Sequence, residues 1–174
     1  MNVLIAYATT EGQTRKIATA IADQTRRLGH DVRLIDTARE HSDLHLDGFD
    51  AIIIAASVHQ DKHQDDIEDF VAASKSVLAK KPTMFISVSL AAAFEESREN
   101  AERYIAGFVE SSGWRPGKTL AVAGALRSDE YDYYHQQILE HVVLKDRKID
   151  HPEQDQEFTD WKELASAVEA FLQA

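Results

Sequence analysis

The sequence predicts an α/β fold in which a doubly wound parallel sheet has helices on both faces. Short apolar runs rich in β-branched residues alternate with longer segments whose apolar residues recur at helical spacing. Strands separated by helices run parallel, because a crossover helix returns the chain to the end of the sheet where the strand began. At 174 residues the chain has the length of one domain, so we expect a single domain over residues 1–174.

The first strand and helix occupy residues 2–28. Asn2–Ala8 is a nearly all-apolar run, which is typical of a strand buried on both faces. In the next segment apolar residues recur at helical spacing with charged residues between them. These apolar residues are Ile17, Ala18, Ile21, Ala22 and Leu28. Gly29 then ends the predicted helix.

The loop between this strand and helix suits a phosphate group. The first N–H groups of a helix have no partner within it, and the helix dipole favours an anion there. Thr9, Thr10 and Thr14 can add hydroxyl donors, and Gly12 lets the backbone approach a ligand closely. The loop lacks the Gly-Lys-Ser/Thr of a P-loop and the three spaced glycines of a dinucleotide-binding fold. The alternative is a polar turn in which Thr14 is only the N-cap.

Four more strands and three more helices follow. The predicted strands are Val32–Ile35, Ala51–Ala56, Met84–Val88 and Thr119–Ala123. Asp-x-x-Glu patterns at Asp65 and Asp160 fit capping boxes and predict the starts of two helices. Gly113 predicts the end of the helix between them. Together with Asn2–Ala8 these runs make a sheet of five strands.

Polar or small residues follow four of the five strands. In an open parallel sheet the ligand lies beyond the carboxyl ends of the strands, where the strand order reverses. The segments that we expect to meet there are Thr9–Thr14, Ser57–His63, Ser89–Phe94 and Gly124–Ser128. This convergence favours the phosphate site over the simple N-cap.

The composition excludes several functions. The chain has 30 Asp and Glu against 19 Lys and Arg, a formal net charge of −11, which argues against nucleic-acid binding. Basic protein partners or salt-tolerant solubility remain as explanations of this charge. Because there is no cysteine, disulfides, thiolate catalysis and cysteine-based metal sites are excluded. No apolar run approaches the roughly 18 residues of a membrane span, so we expect a cytoplasmic protein.

Thr9-Thr10-Glu11-Gly12-Gln13-Thr14 resembles the Thr/Ser-x-x-Gly-x-Thr loop that holds the FMN phosphate in flavodoxin-like proteins. The chain is also similar to one flavodoxin-like branch of haem biosynthesis, the menaquinone-dependent protoporphyrinogen IX dehydrogenases. The similar stretches are residues 11–18, 55–59, 114–116 with 123–127, and 158–161. The resemblance implies a flavodoxin-like parallel sheet in the order 2-1-3-4-5, FMN as cofactor, a porphyrinogen-like substrate and a quinone acceptor.

The resemblance also implies roles for individual residues. The loop that holds the phosphate comprises Thr9, Thr10, Glu11, Gly12, Gln13 and Thr14. Ser57, Val58 and His59 form a first isoalloxazine loop, and Ser89, Leu90 and Ala91 form a second. Backbone groups of these two loops bind the pyrimidine edge of the flavin and tune its potential. An extra segment at about 127–158, with a helix near Tyr131–Leu144, serves substrate or peripheral membrane contact.

The extra segment differs from that branch in its charge. Between Arg127 and Asp160 there are ten acidic and four basic residues, a formal charge of −6, which would repel an anionic porphyrinogen and an anionic lipid surface. Two hypotheses follow. One is an FMN-dependent oxidoreductase that passes electrons from a porphyrinogen-like donor to a quinone. The alternative is a flavodoxin-type shuttle with no substrate of its own, which docks on basic reductase surfaces. A phosphoryl-accepting receiver domain is disfavoured, because Thr9-Thr10 and Ser57 stand where it needs acids.

Two side chains are candidates for catalytic roles. His59 could donate a hydrogen bond to the flavin or stabilise its reduced anion; the alternative is a solvated loop histidine, like His41, His45 and His63. Arg127 could bind a substrate carboxylate; the alternative is a salt bridge to Asp129 or Glu130.

Other polar and aromatic groups have simpler interpretations. Asp61, Asp65 and Asp66 with His63 could form a metal cluster, but helix capping explains the carboxylates, and we predict no metal. Trp114 and Trp161 are expected to anchor the core or its rim. Tyr131, Tyr133 and Tyr134 either cover the flavin or pack the extra helix on the sheet.

Overall fold

The computed structural model of this chain describes residues 1–39, 44–127 and 155–174. Its main sheet contains five parallel strands. They are β1 (Asn2–Ala8), β2 (Asp31–Asp36), β3 (Ala51–His59), β5 (Thr83–Ser89) and β6 (Lys118–Ala123). Their order is β2-β1-β3-β5-β6, and a two-residue strand, β4 (Lys62–His63), pairs antiparallel with the end of β3. The predicted fold class and the order of the five main strands are confirmed.

Helices cover both faces of this sheet. They are α1 (Gln13–Arg27), α2 (Asp65–Leu78), α3 (Arg98–Ser112) and α4 (Trp161–Leu172). Short 3₁₀ helices lie at Leu46–Gly48, Leu90–Ala93 and Glu95–Ser97. One core cluster packs α1 and α4 against the sheet, and a second packs α2 and α3 against its other face.

The central strands are apolar on both faces because each face is covered by helices. In β1, Val3, Ile5 and Tyr7 join the α1 and α4 cluster, whereas Leu4 and Ala6 join the α2 and α3 cluster, as the two-residue period of a strand requires. The parallel register aligns Val3–Ala8 with Ala51–Ala56 of β3. The carboxyl ends of the central strands therefore lie side by side at one edge of the sheet.

Of the two predicted capping boxes only the one at Asp160 has the expected N-cap, and the alternative that made Thr14 the N-cap of α1 is wrong. The N-cap of α1 is Gly12, with Thr14 inside the helix, and the N-cap of α2 is Gln64 rather than Asp65. The acidic side chains in the first turn of α2 still interact favourably with the positive end of the helix dipole, although the N-cap side chain makes no capping hydrogen bond. Asp160 does cap α4, accepting hydrogen bonds from the N–H groups of Lys162 and Glu163 at 3.0 and 2.9 Å.

The segment Ser57–His63 is a β-hairpin rather than the expected polar loop. β3 continues through His59, turns at Gln60 and Asp61 with φ angles of 50° and 62°, and returns as β4. The apolar pattern marks only the part of β3 that is buried on both faces. The polar end of the strand is formed instead by pairing with β4, which a scan of local apolarity does not detect.

His63 is buried by this hairpin, which contradicts its expected place on a polar surface. It is 5% exposed, and its ring centroid lies 5.2 Å from that of Phe85 and 5.1 Å from that of Phe108. Its Nε2 lies 2.9 Å from Ser87 Oγ. Burial lowers the pKa of His63 to about 4, because the charged imidazolium would lose its hydration.

We therefore expect the stability of the fold to fall in mild acid. In the unfolded chain His63 has the ordinary pKa of about 6.5, so between pH 6.5 and 4 the unfolded state binds a proton that the folded state does not. Between pH 7.5 and 5 the free energy of unfolding should drop by about 2 kcal/mol more in the wild type than in His63→Gln. Urea unfolding at both pH values measures this difference. His45→Gln, which replaces an exposed histidine, should behave as the wild type; equal losses in His63→Gln and the wild type would contradict the assignment.

Candidate functional site

A pocket lies at the carboxyl ends of β1, β3 and β5. All four segments that were expected to converge contribute to its wall. The lining residues are Thr9, Thr10, Glu11, Gln13, Thr14, Ser57, Val58, His59, Val88, Ser89, Leu90, Gly124 and Ala125. Of the other predicted site residues, Gly12 begins α1 within the same loop and Ala91 lies in the adjoining 3₁₀ helix, Leu90–Ala93.

The N-terminus of α1 opens toward this pocket. Gly12 has a φ angle of +93°, a conformation that other residues rarely adopt, and its N–H donates to Thr9 Oγ1 at 2.9 Å. The Gly12 carbonyl accepts from the N–H of Lys16 at 3.1 Å, so the N–H groups of the intervening residues have no acceptor within the helix. The N-cap residue, Gly12, has no side chain that could cap the helix, and a Cβ built there would meet no heavy atom of the described chain within 4 Å. The backbone is thus accessible to a ligand.

Two buried hydroxyls in the pocket wall also need a partner. Thr14 is completely buried and Ser89 is 5% exposed, yet neither Thr14 Oγ1 nor Ser89 Oγ has a hydrogen-bond partner among the described residues. A buried polar group without a partner costs about 1–3 kcal/mol. Both residues line the pocket, so a polar ligand there can satisfy them.

Gln64 joins two parts of the wall and was missed by the sequence analysis. Its Nε2 donates to Thr10 Oγ1 at 3.0 Å and also to Ser57 Oγ. Thr10 belongs to the loop after β1, whereas Ser57 lies in β3. No feature of the local sequence marks this glutamine, because both contacts depend on the hairpin that precedes α2.

A second set of contacts ties the first turn of α1 to the chain near residue 157. Gln13 Nε2 donates to Glu157 Oε2 and Thr159 Oγ1, each at 3.0 Å, so the side-chain amide points to that segment. Glu157 also accepts from Lys16 Nζ and from Trp161 Nε1. The hydrogen bond from Lys16 is the largest of the interactions that lower the pKa of Glu157. Glu157 was not a predicted site residue; it acts here as an anchor for α1.

His59 lies beside an acid of the pocket wall. Its Nδ1 is 3.7 Å from Glu11 Oε1, and the two side chains are 34% and 13% exposed. His59 therefore belongs to the end of β3 and not to a solvated loop. A protonated His59 would form an ion pair with Glu11 at the pocket.

Arg127 follows a two-residue strand, β7 (Ala125–Leu126), which pairs antiparallel with β8 (Gln156–Glu157). Its Nη1 lies 3.1 Å from Asp155 Oδ2, and its side chain is 31% exposed. An ion pair is thus present, with Asp155 as the partner. The other predicted partners, Asp129 and Glu130, lie outside the described residues, as do the expected helix near Tyr131–Leu144 and Tyr131, Tyr133 and Tyr134.

The remaining candidate residues pack in or beside the core or form hydrogen bonds with neighbouring side chains. Trp114 is 2% exposed in the core, and Trp161 lies at its rim with Lys16 Nζ 5.3 Å from the ring centroid. Asp61 accepts a hydrogen bond from Tyr104 Oη at 2.8 Å. Within the described ranges no group of three or more His, Asp or Glu side chains is arranged to hold a metal ion. No helix in those ranges combines the length and the apolarity that a membrane span requires.

Comparisons with known proteins agree with this geometry. Residues 4–153 match the family model described as the flavodoxin domain. The protoporphyrinogen IX dehydrogenase (quinone) of Escherichia coli strain K12 is 28% identical over 169 residues, covering 95% of this chain and 92% of that protein. The Leishmania major protein of the same name is 24% identical over 166 residues, covering 91% of this chain and 69% of that protein.

A solved structure has a similar fold. Oxidised Flavodoxin 1 from Bacillus cereus superimposes with a TM-score of 0.60 at 17% identity, covering 99% of this chain and 98% of that protein. The family match begins in β1 and includes the loop before α1, the β3 and β4 hairpin and the end of β5. The chain therefore belongs to the flavodoxin domain family.

Proposed function

We propose that this chain is an FMN-dependent flavoprotein oxidoreductase whose cofactor occupies the pocket at the start of α1. The observation that supports this most directly is the Thr14 hydroxyl, which is fully buried and without a partner among the described residues. It lies beside N–H groups that the helix leaves unpaired, and both kinds of donor suit a phosphate. When bound, FMN supplies reversible two-electron chemistry.

The loop before α1 would hold the phosphate of FMN through neutral donors. Thr9 Oγ1 already accepts from the N–H of Gly12, so its own proton is available to an anion. Gln13 would contribute its backbone N–H, because its side-chain amide is directed to Glu157 and Thr159. In this proposal the phosphate-binding set is Thr9, Thr10, Glu11, Gly12, Gln13 and Thr14, with Glu11 contributing main-chain groups.

The isoalloxazine ring would lie between the end of β3 and the start of the first 3₁₀ helix after β5. Val58 and Leu90 offer apolar surface there, and both line the pocket. Ser57, His59, Ser89 and Ala91 complete the two ring-binding segments of this proposal. His59, whose Nδ1 lies 3.7 Å from Glu11 Oε1, could donate a hydrogen bond to the flavin.

For the reaction we propose the oxidation of a porphyrinogen-like donor with a quinone as acceptor. The supporting observation is that the relatives matching nearly the whole chain are named protoporphyrinogen IX dehydrogenase (quinone). Arg127 follows Ala125, which lines the pocket, by two residues, and its guanidinium could bind a carboxylate of the substrate. A lipid-soluble quinone would be met at a membrane surface, so we also propose peripheral contact there.

A second candidate is an electron-transfer shuttle that has no substrate of its own. The net charge of −11, with −6 between Arg127 and Asp160, favours this role because an acidic surface attracts basic protein partners. The purified protein distinguishes the two functions. Flavin absorbance together with quinone-coupled oxidation of protoporphyrinogen would support the enzyme. FMN binding without such oxidation would leave the shuttle, and no binding at micromolar FMN would contradict both.

Thr14→Val should weaken FMN binding by about 1–3 kcal/mol, because a buried phosphate oxygen loses its donor. The apoprotein should not become less stable, since the substitution removes a hydroxyl that has no partner in the described chain. Thr25→Val is the matched control: Thr25 is equally buried in α1, but its hydroxyl donates to the Ile21 carbonyl at 2.8 Å. Titration of both apoproteins with FMN measures the effect, and equal affinities would rule out a phosphate contact for Thr14.

Gly12→Ala should reduce FMN affinity, because the new Cβ occupies the open side of the phosphate loop. Gly29→Ala serves as a control at the other end of α1. Gly29 has a φ angle of +85°, and a Cβ added there would also lie more than 4 Å from every heavy atom of the described residues. Each variant should lose about 1 kcal/mol of stability through backbone strain, but only Gly12→Ala should bind FMN more weakly. Similar FMN affinities in the two variants would make Gly12 a purely structural glycine.

Arg127→Ala should lower kcat/KM for protoporphyrinogen by about tenfold, or about 1.4 kcal/mol, without changing FMN affinity. Asp155→Ala breaks the same ion pair but keeps the guanidinium, so it should retain most of the activity. Steady-state kinetics of both variants separates substrate binding from a structural role. Equal losses of activity in the two variants would show that the ion pair, and not a contact between the guanidinium and the substrate, sustains kcat/KM.

A further inference from the structure

We propose that Gln64 is a positioning residue that turns the hydroxyl protons of Thr10 and Ser57 toward the FMN phosphate. This inference rests on the proposed binding of FMN. One nitrogen, Gln64 Nε2, donates to both hydroxyl oxygens, so the two hydroxyls are close neighbours although they belong to different segments. Ser57 Oγ is thereby placed next to the loop that begins α1, so its hydroxyl can serve the phosphate while its backbone belongs to the ring-binding segment.

The chemistry of a hydroxyl explains the effect. Each hydroxyl has one proton to donate and two lone pairs that accept. The amide of Gln64 occupies one lone pair on Thr10 Oγ1 and one on Ser57 Oγ, which leaves both protons directed away from the amide. Both residues line the pocket. A phosphate oxygen there would accept two oriented O–H donors, and hydrogen bonds to a charged acceptor are the stronger kind.

The side chain of Gln64 has no evident role in starting α2. Gln64 is the N-cap residue, but its side chain makes no capping hydrogen bond. Its main-chain carbonyl accepts from the N–H of Ile67 at 3.2 Å, a contact that survives replacement of the side chain. Gln64 Oε1 is buried without a partner in the described chain. Holding the amide in this orientation therefore lowers the stability of the fold unless the oriented hydroxyls serve a ligand.

Two variants test the orientation of the hydroxyls. In Gln64→Leu the donors to Thr10 and Ser57 are lost with no change of charge. In Gln64→Glu the carboxylate can only accept, so it turns the hydroxyl protons away from the pocket. Gln24→Glu is the matched control, because Gln24 is also half-buried and donates through Nε2 to the Ala165 carbonyl at 2.7 Å, between α1 and α4.

Each apoprotein is titrated with FMN and with riboflavin, which lacks the phosphate, and urea unfolding checks that each variant is folded. We expect FMN affinity to fall about threefold to tenfold in Gln64→Leu and at least about tenfold in Gln64→Glu, a change of about 1.4 kcal/mol. Riboflavin affinity should remain within about twofold of the wild type in both variants, and Gln24→Glu should bind both ligands normally.

Two outcomes would overturn the proposed role of Gln64, and a third would overturn the proposed binding of FMN. Unchanged FMN affinity in Gln64→Leu would do so even if Gln64→Glu binds weakly, because charge repulsion alone would then explain the glutamate variant. Equal losses for FMN and riboflavin would show that Gln64 only supports the fold. Both of these results leave FMN binding by the wild type intact, whereas a wild type that binds neither flavin would overturn the proposed function itself.

Discussion

An α-helix cannot satisfy its own first N–H groups, and the site of this protein is arranged around that constraint. The first turns of α2 and α4 contain acidic side chains, and Asp160 bonds directly to two N–H groups of α4. The first turn of α1 contains no acid, and its N-cap is a glycine. Its dipole is therefore not compensated by its own first turn, and the pocket lies where an anion would compensate it.

The rest of the fold holds this helix start in place. Pairing of β1 with β3 brings the loop after Ala8 beside Ser57, and the return strand β4 brings Gln64 to both. On the other side, Glu157 and Thr159 accept from Gln13, and Thr159 Oγ1 donates to the Ala123 carbonyl at the end of β6. The N-terminus of α1 is thus fixed from both sides by side chains that leave its backbone open to the pocket.

The main sheet and the polar loop that begins α1 were predictable because their signals are local. A strand buried on both faces, such as Ala51–Ala56, is a continuous apolar run, and the loop of threonines before α1 stands out within a few residues. Gln64, His63 and Glu157 were missed for the opposite reason. Their roles come from partners distant in the sequence, as in the contact between Gln13 and Glu157, 144 residues apart. The true N-cap of α2 was missed because Asp65-x-x-Glu68 fits a capping box and Gln64 does not, yet the backbone has Gln64 in the extended cap conformation.

The segment from Arg127 to Asp160 is acidic by residue count, but the carboxylates of its described residues are all paired. Three of its acids lie in the described part of the chain, and each already has a partner: Asp155 pairs with Arg127, Glu157 with Lys16, and Asp160 with the N-terminus of α4. Paired carboxylates repel an incoming anion less than free ones, because their field is partly cancelled. A guanidinium has five N–H donors, so Arg127 can contact a second carboxylate while Asp155 keeps its hydrogen bond. The pair with Asp155 is therefore compatible with the proposed binding of a substrate carboxylate by Arg127.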